Sequence, residues 1–394
     1  MTGILLFTLF LAIALYAVWT YALSPAIKKS SKPGGELTYF LVAAGAAFLV
    51  RIILAAVFKG HETDMGCFDG WSSQIFKDGI PAFYASEGFH DYPPGYMYVL
   101  YIIGAVKSIL PLSGGALWAL LKMPAILFDL AAAYVVYRIS SKKFNILVSL
   151  LFAALWLFNP VSILNSSLWG QVDGVYTLFA LLMLYFITEK KMTLSYFMFA
   201  ICLFIKPQAL IFAPVLIGGF IENVILDDFS INKLLKNIGF GIGAIALIFV
   251  LALPFGLGHV VEQYTKTLAS YPYATVNAFN VWGLFGQNWV ALTPFTSVLG
   301  YVFLTAISVY TVFVVLKSKN ESKYYFSGAL IVFLTYMLST KMHERYAYPA
   351  VILLLIAVIY LPNIKMYASF GLITLSQFFN AAWVLFVYNT DINK

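Results

Sequence analysis

The chain has 394 residues, 62% of them hydrophobic and 10% charged, with a formal net charge of +7 and a mean hydropathy of +0.88. Soluble domains carry about 25% charged residues, so this composition excludes a soluble globular protein and indicates an integral membrane protein. Most lysines fall in short loops between apolar runs, where they set membrane orientation, so the positive charge is not a nucleic-acid signal.

Apolar runs of bilayer length recur along the chain and predict helices, because lipid leaves no partner for an open sheet edge. A β-barrel would show short alternating segments instead. Gly3 to Leu23 lacks a basic leader and a small-residue cleavage site, which predicts a retained span. Lys28, Lys29 and Lys32 follow and place that loop in the cytoplasm. Leu37 to Phe58 forms the next span, with Arg51 near its outer end, either snorkelling or facing the protein interior.

His61 to Tyr96 is the longest polar interval and holds six of the seventeen acidic residues: Glu62, Asp64, Asp69, Asp78, Glu87 and Asp91. Loops between neighbouring spans are commonly a few residues long, so a long acidic and aromatic one marks the working part. Gly95 to Leu110 and Ala116 to Tyr137 are both apolar. Two full crossings there would leave Arg138, Lys142 and Lys143 outside, so either one run is re-entrant or that loop breaks the charge rule.

The remaining runs alternate regularly: Leu147 to Phe158, Val175 to Ile187, two short runs flanking Lys206-Pro207-Gln208, Ile238 to Leu253, Ala291 to Leu316, Phe326 to Leu338, Ala350 to Leu361 and Tyr367 to Val387. This predicts an all-α polytopic protein of roughly 10–13 transmembrane helices. Two modules are expected, 1–230 with the external loop 59–94, and 231–394 with the His343-Glu344-Arg345 motif. Alternation puts Asp64, Asp91, Gln171, Asp173, Lys206, Asn277 and His343 on one face. Cys67 and Cys202 are too few for a disulfide framework or a CxxC metal pattern.

Asp64, at the mouth of a span, has the character of a partly desolvated proton acceptor; Asp69 is the competitor. Asp91-Tyr92-Pro93-Pro94 is a stiff turn, in which Asp91 is also a candidate helix cap. Gln171 and Asp173 suit sugar hydroxyls, and Asp173 equally suits an internal ion pair with Arg345 or Lys206. Lys206, Gln208, His343, Glu344 and Arg345 place cations on the outer side, against the usual bias, which favours an anionic head group as ligand. Asn277 and Trp282 lie in an amide and aromatic stretch that fits a sugar or an interfacial belt. No P-loop, GxSxG, HExxH or paired CxxC is present, so a donor substrate would come through the lipid.

In these motifs the chain resembles the GT-C superfamily of membrane glycosyltransferases, and within it the dolichyl-phosphate-glucose-dependent enzymes and their bacterial and archaeal relatives. Asp64 stands seven residues before Trp71, as the family's catalytic aspartate does, and Asp91 to Pro94, Trp169 to Asp173, Lys206 to Leu210 and His343 to Arg345 match its later motifs. The resemblance implies an inverting hexosyl transfer from a polyprenyl-phosphate sugar to an acceptor hydroxyl on a glycan or lipid-linked glycan, at the extracytoplasmic face of the cell membrane. Asp64 would be the base, and Lys206, His343 and Arg345 would hold the donor phosphate. Asp91, Tyr92, Gln171, Asp173, Gln208, Asn277, Trp282 and Glu344 would surround sugar and acceptor. No cofactor or divalent metal is expected. A lipid-linked sugar flippase, and a polymerase or ligase using a lipid diphosphate, are the alternatives.

Overall fold

A computed structural model of the protein describes residues 36–86 and 88–388. The expected span Gly3 to Leu23, the lysines after it and Glu87 lie outside the described residues. The described residues are 79% helical. Seven helices are long and apolar enough to cross a membrane and four more are shorter, which makes eleven among the described residues. The chain is therefore an all-α polytopic membrane protein.

Helix α1 (Leu37–Val57) and the long helix α5 (Gly114–Ser141) run antiparallel. The start of α5 meets the end of α1, where a Cβ on Gly115 would lie 2.4 Å from the Ala56 carbonyl. At the other end the Tyr137 hydroxyl donates to the Glu36 carbonyl at 2.9 Å. The chain between them leaves and returns at one end of the bundle, so it makes no net crossing.

That interval is not an open loop. It folds into α2 (Glu62–Asp78), a short turn α3 (Ile80–Phe83) and α4 (Pro94–Ile109). Helices α2 and α4 press together closely, with a Cβ on Gly104 falling 2.1 Å from the Ser72 carbonyl. The apolar run Gly95 to Leu110 is thus α4, packed on α2, and not a second crossing. The basic residues after α5 then lie at the same end of the bundle as the start of α1.

From there the chain alternates. Helix α6 (Ile146–Leu157), the turn α7 (Pro160–Ile163) and a π-helical turn (Leu164–Trp169) rise together, so most of the expected loop Asn159 to Asp173 is helix. Helices α8 (Asp173–Thr188) and α9 (Met192–Ile205) descend and return. A 3-10 turn (Pro207–Phe212) leads into α10 (Ala213–Phe220). Next come α11 (Ile231–Ala252) and a segment carrying α12 (Leu257–Ala269) and α13 (Val281–Leu284). Helices α14 (Pro294–Lys317), α15 (Lys323–Leu338), α16 (Tyr348–Tyr360) and α17 (Ile364–Trp383) complete the bundle.

Local sequence explains many boundaries. Asn145, Ser230 and Asn363 cap their helices through side-chain oxygens, and Thr293 with Pro294 opens α14 through a capping box. The end away from α2 collects exposed ion pairs, Lys142 with Glu189 at 2.7 Å, Lys190 with Asp227 at 2.5 Å and Lys143 with Glu321 at 2.8 Å. One buried cluster draws side chains from Phe40 to Leu385, and a smaller one joins Ala278, Tyr336 and Ala347.

Candidate functional site

His61 caps α2, its Nδ1 accepting from the Asp64 amide at 3.4 Å. Asp64 therefore sits in a helical first turn, where the aligned peptide dipoles favour a carboxylate. Thr63, Asp64, Cys67, Phe68 and Trp71 line one cavity, as helical spacing of three, four and seven residues requires. Asp69 lies about 140° further round the helix. It faces α4, where Lys107 pairs with it, and it does not line the cavity.

Two donors from the far side of the bundle hold Asp64. The Trp169 indole donates to Oδ2 at 2.7 Å and the Gln171 amide to the same oxygen at 2.6 Å. Tyr92 donates to Gln171 Oε1 at 3.0 Å, and the His61 ring stacks on Trp169 at 5.3 Å with 8° between planes. Asp64 Oδ1 accepts no hydrogen bond among the described residues, and the side chain is 21% exposed. Burial alone would raise its pKa. The charges of Arg345 and His61, with the Trp169 and Gln171 hydrogen bonds, outweigh that and hold the carboxyl below its ordinary value.

Asp173 is fully buried beside this cluster. Its Oδ1 accepts from Lys206 Nζ at 2.5 Å, its Oδ2 accepts from Asn165 Nδ2 at 2.9 Å, and Arg345 Nε lies 3.7 Å away. Arg345 also donates through Nη1 to the Glu344 carboxylate and places its guanidinium 5.6 Å from the centre of the Trp169 ring. Nη2 donates to no group among the described residues. Of the three cations expected to hold a phosphate, Lys206 is thus committed to Asp173. His343 is pushed well below its ordinary pKa by burial and by the charges of Arg345 and Lys206, which makes it neutral. Arg345 alone combines charge with open donors.

Asp91 caps no helix: the N-cap of α4 is Pro93, without a side-chain bond. Asp91 instead lines the cavity. Burial pushes its pKa up to about 6, against the pull of Arg345 and Lys206, while the Asp64 charge adds to the rise.

The cavity has a volume of about 720 Å³, and Asp64, Asp91, Tyr92, Lys206, Gln208, His343 and Arg345 all reach its wall. It continues along α14 past Ser297, Gly300, Leu304 and Ser308, about 16 Å of helix at 1.5 Å per residue. Gln208 donates to the Tyr346 hydroxyl at 2.9 Å. Five expected contacts stand behind the wall rather than on it: Gln171, Asp173, Asn277, Trp282 and Glu344. Trp282 donates to the Leu338 carbonyl at 2.9 Å. Asn277 accepts from Trp289 at 2.9 Å, which fixes the strand pair Thr275–Val276 and Met342–His343 next to the Arg345 motif. No group of three or more His, Cys, Asp or Glu side chains forms a metal-holding set among the described residues.

No protein-family model matches the chain, and no curated protein matches it. Fold and site together define a polytopic α-helical membrane protein with a charged cavity at one end of its bundle. Leu210, Ile211, Leu304 and Val332 carry part of its lining along the membrane-spanning helices.

Proposed function

We propose that the protein is an inverting membrane glycosyltransferase that uses a sugar linked to a polyprenyl monophosphate, acting on the extracytoplasmic side. The observation that carries this reading is the convergence of Asp64 and Arg345 on one cavity that continues along α14 and is lined toward the spans by Leu210, Ile211, Leu304 and Val332. A lipid-linked sugar phosphate has the matching parts: hydroxyls, an anion and a hydrocarbon chain.

Asp64 fits a general base. One oxygen is anchored by Trp169 and Gln171, the other is open, and the group stays ionised at neutral pH. It takes the proton of an acceptor hydroxyl while that oxygen bonds to the anomeric carbon. The bond from carbon to phosphate oxygen breaks on the opposite face, and the lipid phosphate leaves with the electron pair. The open Nη2 of Arg345 meets the growing charge there. Lys206 and Glu344 keep Asp173 and Arg345 in place, and Asp91 and Tyr92 border the sugar.

The test is release of polyprenyl monophosphate by the purified chain given a polyprenyl-phosphate hexose and a glycan acceptor. Asp64→Asn is expected to lower turnover by about 10²–10⁴-fold, the range for removing a general base. Turnover equal to that of the unmodified chain removes Asp64 from the role, and consumption of a lipid diphosphate instead overturns the donor class. Passage of the lipid across vesicles without product favours a flippase.

A further inference from the structure

Lys122 lies in the first half of α5, fully buried, and belongs to none of the motifs of the site. The four atoms its amino group reaches are main-chain carbonyls. Two close helix α1, Phe58 at 2.6 Å and Ala55 at 3.4 Å. Two close the π-helical turn, Ser167 at 3.1 Å and Leu168 at 3.3 Å. Helix ends leave carbonyls without partners, and an amine that serves two ends at once fixes their separation.

What leaves those two ends is the site itself. From Phe58 the chain passes through Gly60 to His61 and Asp64, and from Leu168 it continues directly into Trp169 and Gln171. The two strands of backbone touch just beyond the lysine: the His61 amide donates to the Trp169 carbonyl at 3.2 Å. Gly60 and Gly170 both have positive φ, 94° and 93°, and neither has room for a side chain. A Cβ on Gly60 would lie 2.3 Å from the Trp169 carbonyl, and one on Gly170 would lie 2.5 Å from Met65 Sδ and 3.2 Å from Lys122 Cγ.

We propose that Lys122 is a positioning residue, which by tying the end of α1 to the end of the π-helical turn sets Trp169 and Gln171 at hydrogen-bonding distance from Asp64. Its effect passes through backbone, and it touches no cavity surface. The role rests on Asp64 as the working carboxylate, but the geometry it maintains is measurable without any substrate.

The charged and titratable groups around Asp64 are known. His61 and Cys67 share its helix, and Asp91 and Tyr92 face it from the turn before α4. Lys206, Tyr271, Glu344 and Arg345 act on it or feel it from the remaining walls. Lys122→Met changes none of these. It removes the tether together with the amino group, whereas Lys122→Gln removes the same amino group but keeps a donor, so the difference in Asp64 proton affinity between the two variants reports altered hydrogen bonds from Trp169 and Gln171.

The experiment is a pH titration of the tryptophan emission of the full chain in detergent, with Trp169→Phe subtracted as the blank, alongside steady-state kinetics. The unmodified chain is expected to show a midpoint below the ordinary aspartate value of about 3.9. Lys122→Met is expected to raise the midpoint by about one unit, because donors to the charged form are lost. It should lower kcat about tenfold while KM stays within about twofold, as misplacement of a reacting group does. Lys122→Gln, which keeps a donor and the polar character of the site, is expected to fall between the two. An unchanged midpoint in a folded Lys122 variant overturns the proposal, and so does a lowered melting temperature with the midpoint unmoved. If no donor lipid is consumed by any variant, the glycosyl-transfer reading fails while the emission titration still tests the tether.

Discussion

Charge is buried in two regions of this bundle, and the two treat it in opposite ways. Deep between α1, α5 and the π-helical turn, Arg51 pairs with Asp129 at 3.2 Å and also donates to Ser162, Ser166 and the Leu157 carbonyl. Asp129 accepts in addition from Ser162 at 2.8 Å and from the Tyr348 hydroxyl at 2.6 Å. Both carboxylate oxygens and both Nη atoms have partners inside the protein, and Arg51 Nε is buried without one among the described residues. At the cavity, Asp64 keeps Oδ1 open and Arg345 keeps Nη2 open. Arg51 and Asp129 reach no cavity wall and so can only hold helices together, whereas Asp64 and Arg345 present their open valences to the cavity. Arg51 thus faces the interior, one of the two positions its sequence context allows.

Removing Asp129 should break the comparison most sharply. Asp129→Ala leaves Arg51 buried without its counter-charge, an event that costs about 3–5 kcal/mol. The thermal melt in detergent is expected to drop accordingly, while Asp64→Asn, which empties a partly exposed site, should melt close to the unmodified chain. Equal melts for the two variants would show that the deep pair is not what holds α1, α5 and α16 together.

A change at Arg345 sharpens the contrast from the other side. Arg345→Lys keeps one positive charge but loses the planar fork and its stacking on Trp169. We expect KM for the lipid donor to rise about tenfold, about 1.4 kcal/mol, with the melt little altered. An unchanged KM would mean that Nη2 is not where the anion sits.

Asp91 gives a signed effect. In the folded protein it holds its proton up to about pH 6, whereas an unfolded aspartate releases it near 3.9. The native state thus binds more protons between those values, so stability falls as pH rises through that window and the cost is fully present above about pH 6. Asp91→Asn is expected to raise stability by about 1–2 kcal/mol at pH 7.5 and by little at pH 4, read from melts at both pH values. An acidic limb of kcat/KM near pH 6 would move the proton-accepting role from Asp64 to Asp91.

Much of this was legible because the bilayer is a severe solvent. Apolar length alone marks the described spans, and the alternation of basic loops places Asp64, Gln171, Asp173, Lys206 and His343 at one end. The seven-residue step from Asp64 to Trp71 puts both on one helical face, and the five-residue step turns Asp69 away. The internal ion pairing offered for Asp173 is what the fold makes of it, with both Lys206 and Arg345 beside it.

Pattern could not say that α4 lies against α2 instead of crossing, since its composition passes for a span and only the meeting of Gly115 with Ala56 fixes where the chain returns. Nor could it say that a helical turn resumes after Asn159, that Lys206 is spent on Asp173, or that Trp169 bonds to Asp64. Lys122 and Asp129 did leave a trace, as lone charges inside an apolar run. Sequence determined which segments are apolar enough to span a bilayer and which polar motifs gather at one end, because solvation of the backbone and of charged side chains is a property of each segment. Only the tertiary structure decided which charges are satisfied and which stay open, because that depends on partners brought together from segments up to 219 positions apart.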